Sequence, residues 1–203
     1  MIEKICNFLI SKMRKQLPEI DDEKAEVLNY GLQLLVGEVP KIFLLILIAF
    51  LLGIGPLTLL TFLLILPYKM ASGGFHLKTH IGCIIGTTTF YCGIVLLSKN
   101  IVINPEYIKY IIIAGVWSFG MLMCKLYAPA DTENVPIVSK EERKKKRIAS
   151  YITLSITLII AVIIRDNTIS NILIFGSLFQ SLIITKFAYR ITNNKYGYEL
   201  YDC

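Results

Sequence analysis

The sequence predicts an all-α, polytopic integral membrane protein, and three observations carry that prediction. First, 55% of its 203 residues are hydrophobic, too many for a soluble domain of this length that must keep a polar surface. Second, the apolar residues come in runs. Residues 42–66 hold no charge, and 82–97, 107–124, 148–164 and 169–185 are similar, with only Lys109 intruding near the start of its run. Third, the connections between the runs are short or strongly basic. A helix needs about 20 apolar residues to cross a bilayer, with about 17 to 25 tolerated. So many runs of that length argue against a set of buried soluble helices. About six membrane helices are expected within a single membrane domain over 1–203.

The elements follow in chain order. Over 1–17, Ile2, Ile5, Phe8, Leu9, Met13 and Leu17 recur at helical intervals, with Lys4, Lys12, Arg14 and Lys15 between them. That pattern is an amphipathic helix with a basic face, suited to an anionic membrane surface or to packing on the rest of the protein. No cleavable signal peptide is read there. Residues 19–39 read as a second helix, with an acidic start and Pro40 after its end. In 41–66 the apolar run is interrupted by "GIGP" at 53–56, and Gly and Pro are the strongest breakers. Two short arms, 41–52 and 56–66, are expected to form a broken hairpin. Each is about 11 residues, or roughly 16 Å of helix, less than a bilayer core. A re-entrant hairpin, an extension of the first arm by the helix before Pro40, and a single kinked span are the alternatives. Four further spans are expected at 82–97, 107–126, 148–164 and 169–186.

Charge sets the expected topology. The formal net charge is +6, and its densest basic run is "KEERKKKR", 140–147. Between two membrane helices such a run marks the cytoplasmic side rather than a nucleic-acid surface, and no nucleic acid is expected as a partner. Lys186, Arg190 and Lys195 place the C-terminus on the same side. With a basic N-terminus also inside, an even number of crossings separates it from 69–78, and the hairpin supplies them. The five cysteines, Cys6, Cys83, Cys92, Cys124 and Cys203, show no CxxC pairing, and most are expected at cytoplasmic levels, so a disulfide framework is not expected.

One stretch is out of character with this apolar chain: "KMASGGFHLKTHIGC", 69–83. Three chemistries fit it. It is a cytoplasmic turn with interfacial histidines, or a metal site in which His76, His80 and Cys83 stand at i, i+4 and i+7, or a cysteine nucleophile with a histidine base. For the metal no fourth ligand lies close in sequence and HExxH is absent. For the nucleophile, Thr79 can cap a helix beginning near His80, which puts Cys83 in the first turn, where a helix N-terminus and nearby cations such as Lys69 and Lys78 favour a thiolate. His76 and Cys83 are seven apart, about 10.5 Å along a straight helix, whereas a base works at about 3 Å. His76 must therefore sit on a bend, and the glycines before it permit one. His80, at i−3 from Cys83, reaches it from within the helix. Spacing alone leaves both histidines open.

"GGFHLKTHIGC" resembles the G-x-H-x6-C signature of the accessory gene regulator protein B (AgrB) family, membrane cysteine endopeptidases of Gram-positive quorum sensing. "KMASGGFH" is similar to the family's basic-x4-G-x-H opening, with Lys69 where an arginine is common. "YAPADTENVPI", 127–137, resembles the family's characteristic loop, and the basic "KEERKKKR" follows it. The resemblance extends in length and hydropathy over nearly the whole chain.

By position it implies that His76 is the catalytic histidine and Cys83 the nucleophile. Gly74 matches the motif glycine, and His80 matches no catalytic position. No third catalytic member is implied. Asp131 or Asn134 is a candidate to orient the imidazole or shape the substrate groove, against the plainer reading of a Pro/Asp/Asn-rich turn. Lys69, Gly74, Asp131, Lys140, Lys144 and Lys145 are the candidate substrate contacts, the lysines for an acidic peptide tail.

The implied substrate is an AgrD-like propeptide, cut before its acidic C-terminal tail through an acyl-thioester on Cys83. The peptide then cyclises to a thiolactone or lactone, with no cofactor and no metal. The lipid bilayer is the other expected partner, and a homodimer is compatible with this reading. The expected location is the cell membrane, with both termini and the active site cytoplasmic. The alternative from another class is a non-enzymatic small transporter or scaffold, which leaves the Gly-Gly-His-Cys cluster unexplained.

Overall fold

The apolar runs become eight α-helices among the described residues, with no strand. The structure, a computed structural model, describes residues 2–16, 21–77, 79–133, 136–137 and 139–199. The helices are α1 (Ile2–Gln16), α2 (Asp22–Leu51), α3 (Gly55–Ser72), α4 (His80–Asn100), α5 (Glu106–Tyr127), α6 (Lys140–Ile163), α7 (Asn167–Ile183) and the short α8 (Lys186–Ile191). Four of them, α3 to α6, are long and apolar enough to cross a membrane, and α7 is a shorter apolar helix. Their outer faces carry Leu63, Ile85, Ile111, Leu122, Ile152 and Ile159 exposed, an apolar coat that lipid covers and water would not. This is a polytopic membrane protein.

The expected break at Pro40 is corrected. The helix read over 19–39 and the first hairpin arm are a single helix of 30 residues, α2, with Pro40 inside it. A proline removes one backbone hydrogen bond, but helices in an apolar surround tolerate that loss where neighbouring groups compensate. Here Glu38 and Lys41, one on each side of Pro40, join at 2.6 Å across an i,i+3 step of the helix. α2 ends where the sequence places the breaker. Gly53 has φ +70°, a conformation that favours glycine, and Ile54 N–H reaches back to Ala49 O at 2.9 Å. Pro56 then stands in the first turn of α3, where its missing N–H costs nothing. The second arm is also longer than expected. α3 has 18 residues and runs through Pro67 to Ser72.

Helix starts follow side-chain caps. The carboxylate of Asp21 accepts from Lys24 N–H, Asp166 from Ile169 N–H, and Thr185 from Ala188 N–H. α6 begins at Lys140 rather than near 148, so the basic run occupies its first turns, capped by Ser139. α1 packs on α2, burying Cys6 and Ile10, and Asn29 donates to Asn7 at 2.8 Å.

The interior is built around α3 and α7. α3 packs on α6 and α7, and α7 on α4, α5 and α6. Small residues allow the close approaches: Gly176 lies against Ile65, and Gly120 against Leu154 and Ser181. Several polar atoms buried there find partners. Tyr68 OH bonds Ser181 Oγ at 2.8 Å, and Ser170 Oγ donates to Ala161 O at 2.7 Å. Asn171 Nδ2 donates to Ile101 O at 2.7 Å, tying α7 to the end of α4. Lys109, the one charge within its apolar run, is buried and donates to Ile164 O at 3.4 Å, where a cation suits the C-terminal end of α6.

Two bundle ends result. One holds the turn at 52–54 and the connections 101–105 and 164–166. The other holds 73–77, 128–133 and 184–199. Labelling with a membrane-impermeant maleimide tests this in a background lacking the native cysteines. Ser11→Cys and Leu52→Cys should react from opposite sides of the membrane, and reaction from the same side would mean that the hairpin does not cross.

Candidate functional site

The second bundle end gathers three chain segments, and backbone hydrogen bonds join two of them. Ala130 N–H donates to Ser72 O at 2.8 Å, and Gly74 N–H to Ala130 O at 2.9 Å, a single parallel bridge between the connection after α3 and the loop after α5. The bridge requires glycine at 73. Gly73 has φ +77°, and a Cβ there would collide with the carbonyl of Ala130. Gly74 also has positive φ, +153°, and lies against Ile183 of α7. Gln180 of α7 completes the support, its Nε2 donating to Gly73 O at 2.8 Å and to Ser72 Oγ at 2.9 Å.

From this anchored turn the chain runs through Phe75, His76 and Leu77 in non-helical conformation to Thr79. Thr79 Oγ1 accepts from Gly82 N–H at 3.0 Å and starts α4. Cys83 is the fourth residue of that helix, its N–H bonded to Thr79 O at 2.9 Å, and its side chain is half-buried and free of any disulfide. The bend needed to separate His76 from the helix of Cys83 is thus present. Phe75 holds the bend on its inner side, meeting Tyr189 edge-on at 6.3 Å between ring centres. Among the described residues His76 and Cys83 form no hydrogen bond with each other. In hydrolase sites such contacts commonly close only with substrate in place.

Three charged residues border the pair. Lys41 from α2 is buried, with its side chain 10% exposed, and is paired with the half-exposed Glu38. Lys69 from α3 lies one turn before Gly73, its ammonium 5.5 Å from the centre of the Tyr91 ring and 5.8 Å from that of Phe90. Both lysines interact electrostatically with Cys83, and both, with Glu38, with His76. His76 stays exposed at one edge, yet the protein packed around its ring withdraws it from water. That loss of water holds its pKa below the ordinary histidine value. Glu38 pulls the other way, and the charges of Lys69 and Lys41 add to the depression. The ring is therefore neutral at neutral pH. His80, at the first position of α4, is exposed. No group of three His, Cys, Asp or Glu side chains among the described residues is arranged to hold a metal ion.

Asp131 follows the bridge residue Ala130 in the loop after α5. Its side chain is buried and accepts from Arg143 Nη2 and from Ile137 N–H. Arg143 also donates to Ile137 O at 3.0 Å, and Arg147 to Ala128 O at 2.7 Å. Tyr189 OH donates to Ala130 O at 2.9 Å from the other side. Asp131 is thus a clasp between its loop and α6 through Oδ2, while its buried Oδ1 accepts no hydrogen bond. Asn134 and Lys78 lie outside the described residues. The basic run of α6 divides into two roles. Arg143 and Arg147 hold the loop and Lys146 pairs with Glu142 at 3.4 Å, while Lys140, Lys144 and Lys145 are exposed and form no ion pair among the described residues.

Sequence reasoning missed Glu38, Lys41 and Gln180. A glutamate and a lysine at i,i+3 on the threshold of an uncharged run were the available signal for the first two, because charge at that depth needs a reason. Gln180, a polar side chain within an apolar run, carries the same kind of signal.

The family model for accessory gene regulator B matches residues 2–184. Among curated proteins, an AgrB-like protein of Listeria innocua is 30% identical over 202 residues, covering 98% of this chain and 95% of the relative. An AgrB-like protein of Listeria monocytogenes serotype 4a is 29% identical over the same coverage. One from Clostridium acetobutylicum is 22% identical, over 97% of this chain and 91% of the relative. No solved structure matches.

Removing the clasp leaves a buried guanidinium without its partner. Asp131→Ala is expected to lower stability by about 3 kcal/mol, within the range for a broken buried pair, read as a lower unfolding temperature in detergent. An unchanged unfolding temperature would remove Asp131 from this structural role.

Proposed function

Since this chain belongs to the accessory gene regulator B family, we propose that it is a membrane cysteine endopeptidase of the quorum-sensing system, with Cys83 as nucleophile and His76 as base. One observation carries the reading: within the matched G-x-H-x6-C stretch, the histidine stands on a glycine-anchored bend and the cysteine in the capped first turn of the next helix, with two lysines beside them.

The substrate is an AgrD-like propeptide with an acidic C-terminal tail. His76 takes the thiol proton as the Cys83 sulfur attacks the carbonyl carbon before the tail. The C–N bond breaks, the departing amine takes the proton from His76, and the peptide remains as an acyl-thioester on Cys83. A Cys or Ser within the peptide then attacks the thioester carbonyl and gives its proton to His76. Cys83 leaves as thiolate and recovers that proton, and the ring is closed as a thiolactone or lactone. A thioester conserves acyl energy that hydrolysis would lose, and holding the internal nucleophile close favours cyclisation over water. The exposed Lys140, Lys144 and Lys145 offer charge to the acidic tail at the same bundle end. In this reading that end, with both termini, is cytoplasmic, and the bilayer surrounds the rest.

Two measurements test the proposal. Cys83→Ala and His76→Ala should each abolish cleavage of a co-expressed propeptide while leaving the protein in the membrane, and His80→Ala should retain much of it. A dead His80→Ala with an active His76→Ala would transfer the base to α4. The second is pH dependence. A base works unprotonated, and the pKa of His76 is held below the ordinary value of about 6.5, so cleavage should persist below that pH and fall only as the ring gains its proton. A rate already lost well above pH 7 would contradict this assignment.

A further inference from the structure

The Glu38–Lys41 pair is the most unexpected charged feature of the fold. It sits on a helix remote in sequence from the Gly-His-Cys stretch, at the threshold of an uncharged run. Its geometry is specific. The Lys41 side chain is 10% exposed and bonded to Glu38 at 2.6 Å across the Pro40 step, whereas Glu38 is 50% exposed and retains contact with water. A surface ion pair of that spacing adds little to stability, and a buried lysine is rarely present for stability at all. α2 packs against both α3 and α4, and across that packing Lys41 interacts electrostatically with Cys83.

Among the described residues, the charged and titratable groups around Cys83 are few. α2 presents Glu38 and Lys41, α3 presents Lys69, the connection presents His76, and α4 itself carries His80. Many cysteine hydrolases balance the thiolate with an imidazolium. Here the protein packed around His76 and the charges of Lys69 and Lys41 disfavour the protonated ring, against the pull of Glu38, so the ring is poorly placed to carry that charge. A lysine can supply the positive charge for the sulfur instead. Lys69 is partly engaged with the faces of Phe90 and Tyr91, whereas Lys41 is anchored by one carboxylate only.

We propose that Lys41, held in place by Glu38, is the counter-ion of the Cys83 thiolate, a positioning residue that α2 supplies to the site. The division of labour follows. His76 remains a neutral base for proton transfer, and Lys41 holds the charge that develops on sulfur. Glu38 fixes the ammonium and keeps it from being a net cation buried alone. This inference rests on the proposed role of Cys83 but is tested without any propeptide.

The test is the rate at which iodoacetamide alkylates Cys83 in the full-length purified protein, read by mass spectrometry of the Cys83 peptide. An opposite charge a few ångströms away changes the thiolate fraction by about tenfold or more. Lys41→Met should therefore react at least about tenfold more slowly than wild type at pH 7 and approach the wild-type rate at pH 10, where an ordinary thiol is mostly ionised. Lys41→Arg should stay near wild type at both. Lys41→Gln, which keeps a polar chain of similar reach, should behave as Lys41→Met and carries the result if the methionine variant does not fold. Wild-type rates at pH 7 in the neutral variants would overturn the proposal. An equal slowing at pH 7 and pH 10 would also overturn it, because that is the mark of lost access rather than lost charge. Neither outcome depends on whether the protein cleaves a peptide.

Discussion

The two hydrogen bonds that join Ser72 and Gly74 to Ala130 hold the site end of this bundle together. They fix the turn after α3, and through it the bend that lifts His76 away from the helix of Cys83. They also fix the loop after α5, which Arg143 and Arg147 tie to the start of α6 and Tyr189 ties to the C-terminal segment. A glycine is obligatory at this crossing because the two backbones approach within the space a Cβ would fill. Gln180, reaching up from α7, satisfies the turn carbonyl that the crossing leaves open. The arrangement couples a short motif to three helices that are distant in sequence, and the backbone groups at the crossing are paired within the protein, as an apolar surround requires.

Around that anchor the charges sort by function. Arginines, with their planar forks, serve carbonyls and the buried Asp131 carboxylate. Lysines border the thiol or stand free on α6. The same sign of charge thus does two jobs at one membrane face: structural in Arg143 and Arg147, and electrostatic in Lys41 and Lys69. A chain with only a topology requirement for positive charge would have no need to bury Lys41.

Much of this was legible in the sequence, and the gaps have physical reasons. Uncharged runs announce spans because lipid tolerates little else, and Gly53 with Pro56 announces the turn because few residues accept that backbone. Thr79 announces the start of α4, and the glycines before His76 announce the bend. Pro40 misled, because proline as a helix terminator is a rule of solvated helices, and here α2 continues into an apolar surround with the Glu38–Lys41 pair spanning the step. The basic run was read for its sign, but its sorting into clasping arginines and free lysines depends on where the loop carbonyls lie. Asp131 drew attention as a carboxylate near the site, and only the contact with Arg143 shows that it is already engaged. Lys41 was hidden by distance, since no local pattern says that α2 returns to Cys83.

The chemistry stands or falls on a covalent intermediate. The most direct measurement is the intact mass of the protein co-expressed with a tail-bearing propeptide and quenched rapidly in acid. The account predicts a fraction of wild-type chain heavier by the mass of the tail-less peptide. The added mass should map to Cys83, be released by hydroxylamine as a thioester is, and be absent from Cys83→Ser as a thioester. Cleavage of the propeptide with no such adduct at any quench time, or an adduct mapped to another residue, would contradict the account.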